Sequence, residues 1–485
     1  MHITIIYTIC QCVIDKIAIA LYSTISIKVR LQFFITGGFN MELFWFKGKN
    51  TFPNGIHPHE HKDTGEKEVR RIPFAPEVIL PLSANIGKAS IPCVKKGDSV
   101  YRGQKIAEAD GYMSVPIHAS VTGTVKDIAL APSPDGGMAR AIILATSLTS
   151  VQTVDYSALR AIDEMSKAEL IKAIQETGMV GLGGAGFPTH VKANLPEGHK
   201  VKTILVNGCE CEPFLTTDQR VMLESLPELL LGIKIVMKCT GAEKAIIGLE
   251  DNKRDVYDAI KNILPKDGPI SATLMPTKYP QGCEKMLVTA LLNIEIPAGQ
   301  IPSSIGVGIF NVTTLAQLGK LVPSKNGLIE RVITVSGPGV ARPGNYVVPL
   351  GTPLKFILEH CGWSGTAEYV VLGGPMMGKT VSSLDAPITK TASGILAFDK
   401  TLADLKKNER EYPCITCGAC VSVCPMRLNP STLGLLAKKE RYEEMRDNYN
   451  LDLCIKCGSC TFICPSNIPI LSLIQTAQEI NKTKK

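Results

Sequence analysis

Hydrophobic and polar positions divide the chain into blocks of different period. Between residues 76 and 150 short apolar stretches alternate with glycine-containing turns, the pattern of a small antiparallel β structure. Residues 163–176, DEMSKAELIKAIQE, have helical spacing, and Ser166 with Glu169 three residues on predicts a capped first turn. From residue 202 apolar strands alternate with helices. KTILVNGCECEP (202–213) is followed by the helical VMLESLPELLLGIKIVMK, then by KAIIGLEDN (244–252) as a buried strand and turn. TKYPQGCEKMLVTALLN (277–293) and IGVGIFNVTTLAQL (305–318) continue the alternation, which predicts an α/β domain with a mostly parallel sheet. Residues 330–364 read as strand, turn, strand and a helix opened near Thr352-Pro353, where proline suits a first turn. VVLGGPMMG (370–378) adds a strand and a glycine turn, and KNERE (407–411) marks a charged boundary.

The N-terminus changes this picture little. The apolar run Ile3 to Ile14 is stopped by Asp15 and Lys16, and Ile17 to Ile27 by Lys28. Each falls short of the ~20 residues that a membrane span needs. A secretory signal would require an early basic region and a small-residue cleavage site, and neither is clear. The codons of Gly37-Gly38 can spell a ribosome-binding sequence at a suitable distance before Met41. Residues 1–40 are therefore expected to be a spurious extension, with translation starting at Met41. Residues 41–75 then form an N-terminal docking arm. Its GIHPHEHK (55–62) carries three histidines, which could hold a metal. The segment is charged and has no cysteine support, which favours a solvated arm.

A chain of 485 residues implies several domains, and 45% hydrophobic with 20% charged residues describes an ordinary globular protein. The net charge of +7 is spread along the chain and makes no case for nucleic acid. Of the 16 cysteines, Cys10, Cys12, Cys93, Cys209, Cys211, Cys239, Cys283 and Cys361 are scattered, which suits a reducing compartment.

The other cysteines carry the chemistry. CITCGACVSVCP begins at Cys414 and CIKCGSCTFICP at Cys454, and each is C-x₂-C-x₂-C-x₃-C-P. This is the run that ligates [4Fe–4S] clusters in bacterial two-cluster ferredoxins, where the fourth cysteine serves the other cluster. One cluster is assigned Cys414, Cys417, Cys420 and Cys464, and the second Cys424, Cys454, Cys457 and Cys460. Gly418 and Gly458 let the backbone bend around the inorganic core, and Pro425 and Pro465 turn it away afterwards. Zinc knuckles need single sets of four ligands, not two interleaved sets.

A second motif is GMVGLGGAGFPTHVK (178–192), with glycine at 178, 181, 183, 184 and 186. Such a backbone permits close approach of a phosphate. It is not a dinucleotide fingerprint, because the spacing differs and no strand clearly precedes it. Taken alone it reads equally well as a tight turn.

The surrounding segments resemble the flavin- and NADH-binding subunit of respiratory complex I. That family carries a loop ending GAGFPT and segments V-N-x-x-E-x-E-P, Y-x-x-G-x-E and N-V-x-T. Here they stand as GAGFPT at 184–189, Val206-Asn207 with Glu210, Glu212 and Pro213, Tyr279 with Gly282 and Glu284, and Asn311-Val312 with Thr314. The resemblance implies FMN on the loop of Gly181, Gly183, Gly184 and Gly186. Asn207, Glu210, Tyr279, Gly282, Asn311 and Thr314 would surround it, and Lys192 falls where the family has a phosphate-binding lysine. Phe187, Glu212 and Glu284 would help receive NAD(H), with Glu212 accepting from ribose hydroxyls. The chain departs from the family at Leu182, Cys209 and Cys283, where the family has arginine, aspartate and glutamate. The three cysteines near this site, Cys209, Cys211 and Cys283, read as small buried hydrophobes rather than an extra metal site.

VKKGDSVYRGQKIAEADGYMSVPIHASVTGTV (94–125) resembles the barrel-sandwich hybrid of biotinyl and lipoyl domains. The hairpin tip, Asp110-Gly111-Tyr112-Met113, lacks the lysine of a carrier, which implies a scaffold or docking role. Residues 330–364 resemble the β-grasp module that follows the flavin domain in complex I. The expected organisation is a multidomain α/β and α+β chain. A barrel-sandwich hybrid spans 76–150, an FMN/NADH-binding α/β domain 160–328 and a β-grasp (SLBB-like) region 329–400. A two-[4Fe–4S] ferredoxin-like helical domain spans 405–475, with a tail at 476–485. In this order the parts resemble the C-subunit family of the Rnf electron-transport complex over essentially all of 41–475.

That resemblance implies an oxidoreductase component of a membrane-bound complex that couples electron transfer between ferredoxin and NAD to Na⁺ or H⁺ translocation. It would use FMN, NAD(H) and two [4Fe–4S] clusters, with no side chain as nucleophile or general base. It would sit peripherally on the cytoplasmic side of the cell membrane with the other Rnf subunits. Two alternatives are a soluble flavin and iron–sulfur cobalamin reductase, and an electron-transfer scaffold without nucleotide binding.

Overall fold

The computed structural model describes residues 50–483 apart from 157–158, 196–199, 364, 366, 368 and 400–409. The expectations for residues 1–40 and a start at Met41 lie outside the described residues. So do 41–49 of the arm and 407–409 of the charged boundary.

The alternating block after residue 76 folds as two antiparallel sheets. One runs in the order Glu77–Pro81, Met138–Thr146, Gly123–Pro132, Ser99–Val100, and the other Ile91–Pro92, Lys105–Glu108, Ile117–His118. Val78, Val100, Ile106, Val115, Val121, Ile142 and Leu144 fill the space between them. The tip at 110–113 is not a free arm. The Tyr112 carbonyl meets His190 Nε2 at 2.8 Å, and its hydroxyl accepts from Asn194 Nδ2 at 2.9 Å. The place where a carrier domain holds its lysine here braces the short helix Thr189–Ala193 that follows the glycine loop.

The helix Lys167–Glu176 begins with the capping box read from the sequence. The Ser166 amide donates to Glu169 Oε2 at 2.8 Å, and the Glu169 amide donates to Ser166 Oγ at 3.3 Å. The α/β part is a four-stranded, wholly parallel sheet in the order Ile270–Met275, Lys244–Glu250, Thr203–Gly208, Val307–Asn311. The chain adds its first three strands in one direction and then crosses to the opposite side of Thr203–Gly208. That reversal is a topological switch point, and the crevice beyond the carboxyl ends of its two strands is where such sheets bind ligands.

The continuous helix expected over 221–238 is two helices, Thr217–Glu224 and Leu226–Thr240. Ser225 leaves helical geometry between them, and Pro227 in the first turn of the second cannot extend the first. Leu226–Thr240 packs on Val312–Ser324 with almost no side chain at the crossing. A Cβ on Gly319 would lie 1.8 Å from the Glu228 carbonyl oxygen, and one on Gly232 1.9 Å from that of Leu315.

The next block forms a mixed six-stranded sheet in the order Arg70–Arg71, Gly344–Pro349, Glu330–Ser336, Gly394–Phe398, Tyr369–Leu372, Lys379–Thr380. The helix Leu354–His360 covers it, with Pro353 at its N-cap. The N-terminal arm supplies the edge strand Arg70–Arg71, so it is woven into this sheet instead of trailing in solvent. The final block is helical. Its two halves repeat the same backbone: Thr416 and Lys456 have φ of 55° and 59°, Gly418 and Gly458 74° and 78°, Arg427 and Asn467 54° and 52°. Short helices Ala419–Ser422 and Ser459–Phe462 follow the glycines, and Pro430–Lys438 packs on Ile470–Thr483.

Candidate electron-transfer site

The switch point brings the separated flavin motifs together. Asn207 and Asn311 are register partners at the carboxyl ends of adjacent strands. Asn207 Nδ2 donates to the Gly282 carbonyl at 2.8 Å, and its Oδ1 accepts from the Cys209 amide at 3.1 Å. Asn311 caps the helix Val312–Ser324: its Oδ1 accepts from the Thr314 amide at 3.1 Å. Thr314 Oγ1 accepts from the Leu182 amide at 2.9 Å, tying the glycine loop to the same helix end.

The loop meets the requirements of a phosphate cradle. Gly183, Gly184 and Ala185 are exposed, while Leu182, Gly186 and Pro188 on either side are buried. A Cβ on Gly183 would lie 3.3 Å from Asn311 Cβ, which crowds the loop against the cap. Open glycine amides beside the N-terminus of a thirteen-residue helix, at a switch point, fit the phosphate of a flavin mononucleotide.

Other candidates fall into two groups. Lys192 donates to Glu284 Oε1 at 2.8 Å and lies 5.5 Å from the Phe310 ring centre, so two of the candidates are paired with each other at the rim. Phe187 is half-buried and its carbonyl closes the loop by accepting from the Gly181 amide at 2.8 Å. Glu212 is differently engaged. Its Oε2 accepts from the Met376 amide at 2.9 Å and its Oε1 from the Met377 amide at 2.8 Å. Burial raises its carboxyl to about 7, and these two amides oppose the rise. The glycine turn at 373–378 thus lies against this acid.

Beneath the crevice lies a buried charged layer that the motifs did not disclose. Burial lifts Glu210 to about 7, and the Lys62 ammonium opposes that lift. Its Oε1 accepts from the Asp218 amide at 2.9 Å. Asp218 in turn accepts from Asn311 Nδ2 at 2.8 Å and Thr313 Oγ1 at 2.6 Å, and burial pushes its carboxyl up. Glu250 and Lys253, fully buried, pair at 3.1 Å. Lys62 comes from the N-terminal arm. Its stem is partly exposed, but its ammonium donates to the carbonyls of Glu210 (2.6 Å), Glu212 (2.8 Å) and Leu215 (2.6 Å). Burial lowers its pKa.

Leu182, standing where the complex I family has arginine, is buried in the core. A guanidinium reaches the same loop from elsewhere. Arg331, fully buried, donates to the Lys390 carbonyl and lies 3.5 Å from that of Leu182. Burial lowers it to about 10, opposed by the charge of Asp218. Cys209 is buried with its thiol 3.6 Å from the Gly248 carbonyl, and Cys211 Sγ accepts from the Gly282 amide at 3.3 Å.

The eight motif cysteines separate into two sets. Cys414, Cys417, Cys420 and Cys464 line one cavity, and Cys424, Cys454, Cys457 and Cys460 line another. Each set takes three cysteines from one run and one from the other. Among the described residues no three His, Cys, Asp or Glu side chains are grouped to hold a single metal ion. Four thiols distributed around a cavity suit a cubane, whose own atoms fill the centre.

The second set adjoins the flavin domain. The Tyr279 hydroxyl donates to the Cys457 carbonyl at 2.6 Å. Ile56, Tyr279 and Cys457 form one apolar cluster with Cys211, Met376, Val423 and Ile455. The first set lies at an exposed edge: Cys417 is exposed and Ile415 beside it is 64% exposed.

Comparison with known proteins agrees with this layout. Family models match for the RnfC barrel sandwich hybrid domain over residues 50–148 and the Nuo51 FMN-binding domain over 174–320. An SLBB domain matches over 332–380 and a 4Fe-4S dicluster domain over 413–468. The chain is 39% identical over 385 residues to the C subunit of the proton-translocating ferredoxin:NAD⁺ oxidoreductase complex of Clostridium ljungdahlii, covering 79% of this chain and 83% of that one. It is 37% identical over 384 residues to the C subunit of the Na⁺-translocating ferredoxin:NAD⁺ oxidoreductase complex of Acetobacterium woodii, covering 78% and 86%. Among solved structures, an NAD⁺-reducing [NiFe]-hydrogenase in the air-oxidized state aligns with a TM-score of 0.46 and 18% identity, over 65% of this chain and 66% of that one. The chain belongs to the C-subunit family of the Rnf, or ion-translocating ferredoxin:NAD⁺ oxidoreductase, complexes.

Proposed function

We propose that this protein passes electrons between NAD(H) and the ferredoxin side of an ion-translocating complex, through FMN and then the second and first cysteine sets in that order. The observation that carries the order is the 2.6 Å hydrogen bond from Tyr279 to the Cys457 carbonyl, which joins the flavin domain to the second set. The exposed first set then faces partner subunits.

A flavin supplies the conversion between two-electron hydride exchange and one-electron transfer to iron–sulfur centres. The chain's own contribution is position. Gly183, Gly184 and the amides at the start of Val312–Ser324 hold the phosphate. Asn207, Asn311 and Thr314 fix the crevice walls, and Lys192, Phe187 and Glu284 receive the nucleotide at the rim. Glu212 stands behind them, its carboxylate held by the Met376 and Met377 amides. The cysteines of each set hold one [4Fe–4S] cluster. Tyr279, with its proton committed to the Cys457 carbonyl and its acidity suppressed by burial, serves as a spacer and not as an acid.

Among the described residues no helix is long and apolar enough to cross a membrane. The proposed location is peripheral, on the cytoplasmic side of the membrane, held by the other subunits. The barrel-sandwich match over 50–148 favours this reading over the cobalamin-reductase alternative. Its test is anaerobic purification followed by titration with NADH. Bound flavin with NADH-dependent bleaching of flavin and clusters is the expected result. Protein that binds flavin and clusters but does not respond to NADH would leave only the scaffold alternative.

A further inference from the structure

The N-terminal arm makes contacts that covering an apolar surface does not require. Gly55 donates its amide to the Val423 carbonyl at 3.0 Å, and Asn54 Nδ2 donates to the Cys424 carbonyl at 2.9 Å. Ile56 and Tyr279 exchange two backbone hydrogen bonds of 2.9 Å each. Tyr279 then reaches the Cys457 carbonyl. The circuit therefore touches both cysteine runs at the residues that meet in the second set, Cys424 from one and Cys457 from the other.

The backbone is shaped for this. Asn54 and Gly55 both have positive φ, 59° and 85°. A Cβ on Gly55 would lie 2.6 Å from the Tyr279 carbonyl oxygen and 3.0 Å from Lys278 and Phe52, so only glycine lets the arm lie this close. Farther along, the arm is anchored to the other wall of the crevice. Phe214 donates its amide to the Glu60 carbonyl at 2.9 Å, the His61 ring stacks on Phe214 at 4.4 Å, and Lys62 caps the three carbonyls of the Glu210–Leu215 loop. The Thr64 and Thr216 hydroxyls meet at 2.6 Å.

We infer that residues 54–62 are an intramolecular strap that sets the separation between the flavin crevice and the second cluster, with Asn54 and Gly55 as positioning residues at the cluster end and Lys62 as the anchor at the crevice end. This rests on the electron path proposed above. The rate of electron transfer between two centres falls exponentially with their separation. A contact that fixes a loop bearing cluster ligands against the flavin domain therefore acts on that step, and not on hydride exchange.

The test uses the full chain with its cofactors, as Gly55→Ala, which drives the arm from the Tyr279 loop, and Asn54→Asp, which turns an acceptor toward the Cys424 carbonyl. Stopped-flow mixing with NADH should show flavin bleaching within about twofold of wild type and cluster bleaching slowed at least tenfold in Gly55→Ala and severalfold in Asn54→Asp, at unchanged iron content. Hydrogen exchange at the Gly55, Ile56 and Tyr279 amides should rise in both variants. Wild-type cluster bleaching together with wild-type exchange would overturn the strap. So would equal slowing of the flavin and cluster phases, which marks general damage. If Gly55→Ala does not fold, Asn54→Asp decides alone. If wild type itself ignores NADH, the functional reading falls, while exchange at the three amides and the spectrum of the second cluster in Asn54→Asp still judge the strap.

Discussion

The Tyr279 hydroxyl and the Cys457 carbonyl, 178 residues apart in sequence, meet at 2.6 Å in a buried contact. It joins a segment of the flavin domain directly to a cluster-binding loop, and the second cysteine set therefore adjoins that domain. Tyr279→Phe removes the bond and keeps the ring. One such bond contributes on the order of 1 kcal/mol, so the fold should survive. NADH-dependent flavin bleaching should stay within about twofold, and cluster bleaching should slow severalfold in stopped-flow traces.

Gly183→Ala places a methyl 3.3 Å from Asn311 Cβ, where the loop must shift from the helix cap. The flavin content of the purified variant, read from FMN released on denaturation, should fall severalfold. Iron should not change, because a Cβ on Gly183 meets only Asn311 and none of the motif cysteines.

Lys390 gives a dependence on pH. Burial lowers its ammonium to about 7 from 10.5, and its Nζ donates to the Gly178 carbonyl at 2.7 Å. Between these values the unfolded chain binds more protons than the folded one, so this group makes the protein more stable as pH rises from 7 toward 10.5. The full effect approaches ~1.4 kcal/mol for each tenfold loss of proton affinity on folding. Lys390→Met abolishes it. The stability of wild type relative to the variant should therefore increase between pH 7 and pH 10 in urea titrations. His118 beside it, held near 3 by burial, does not titrate in that range.

Lys62→Met leaves the carbonyls of Glu210, Glu212 and Leu215 without their shared donor and removes the cation facing the buried Glu210. The cost should be about 1–3 kcal/mol, the penalty of buried carbonyls left without a donor. Thermal unfolding should occur several degrees lower, with the loss concentrated in segment 202–218 by hydrogen exchange.

Local signals were the legible ones. The capping box at Ser166 and Glu169 needs only three residues of separation, and the two cysteine runs carry their grouping in their spacing. The strands that carry Asn207 and Asn311 followed from the alternation of strands and helices, and their pairing did not. The hidden contributions all join distant segments. Lys62 lies in an arm whose charge and histidines suggested solvation, yet its ammonium serves a loop about 150 residues away. Arg331 is the second residue of a strand in a different sheet and comes to the carbonyl of Leu182, where the motif itself lacks its arginine. Asp218 gives no motif signal, because its role is to collect Asn311 and Thr313 across 93 and 95 residues. Ser225 broke an expected helix because a hydrophobic pattern continues across a change of chain direction that only Pro227 hints at.

The order of electron flow is tested most directly by disabling each cysteine set in turn. Cys424→Ser should damage the cluster held mainly by Cys454, Cys457 and Cys460, and leave the cluster of Cys414, Cys417, Cys420 and Cys464 intact. Electron paramagnetic resonance after chemical reduction identifies which signal is lost. In that variant the remaining cluster should be reducible by dithionite but no longer rapidly by NADH, whereas in Cys417→Ser NADH should still reduce the second cluster at the wild-type rate. Rapid reduction of the first cluster by NADH in the Cys424→Ser protein, with the second cluster's signal gone, would contradict the account.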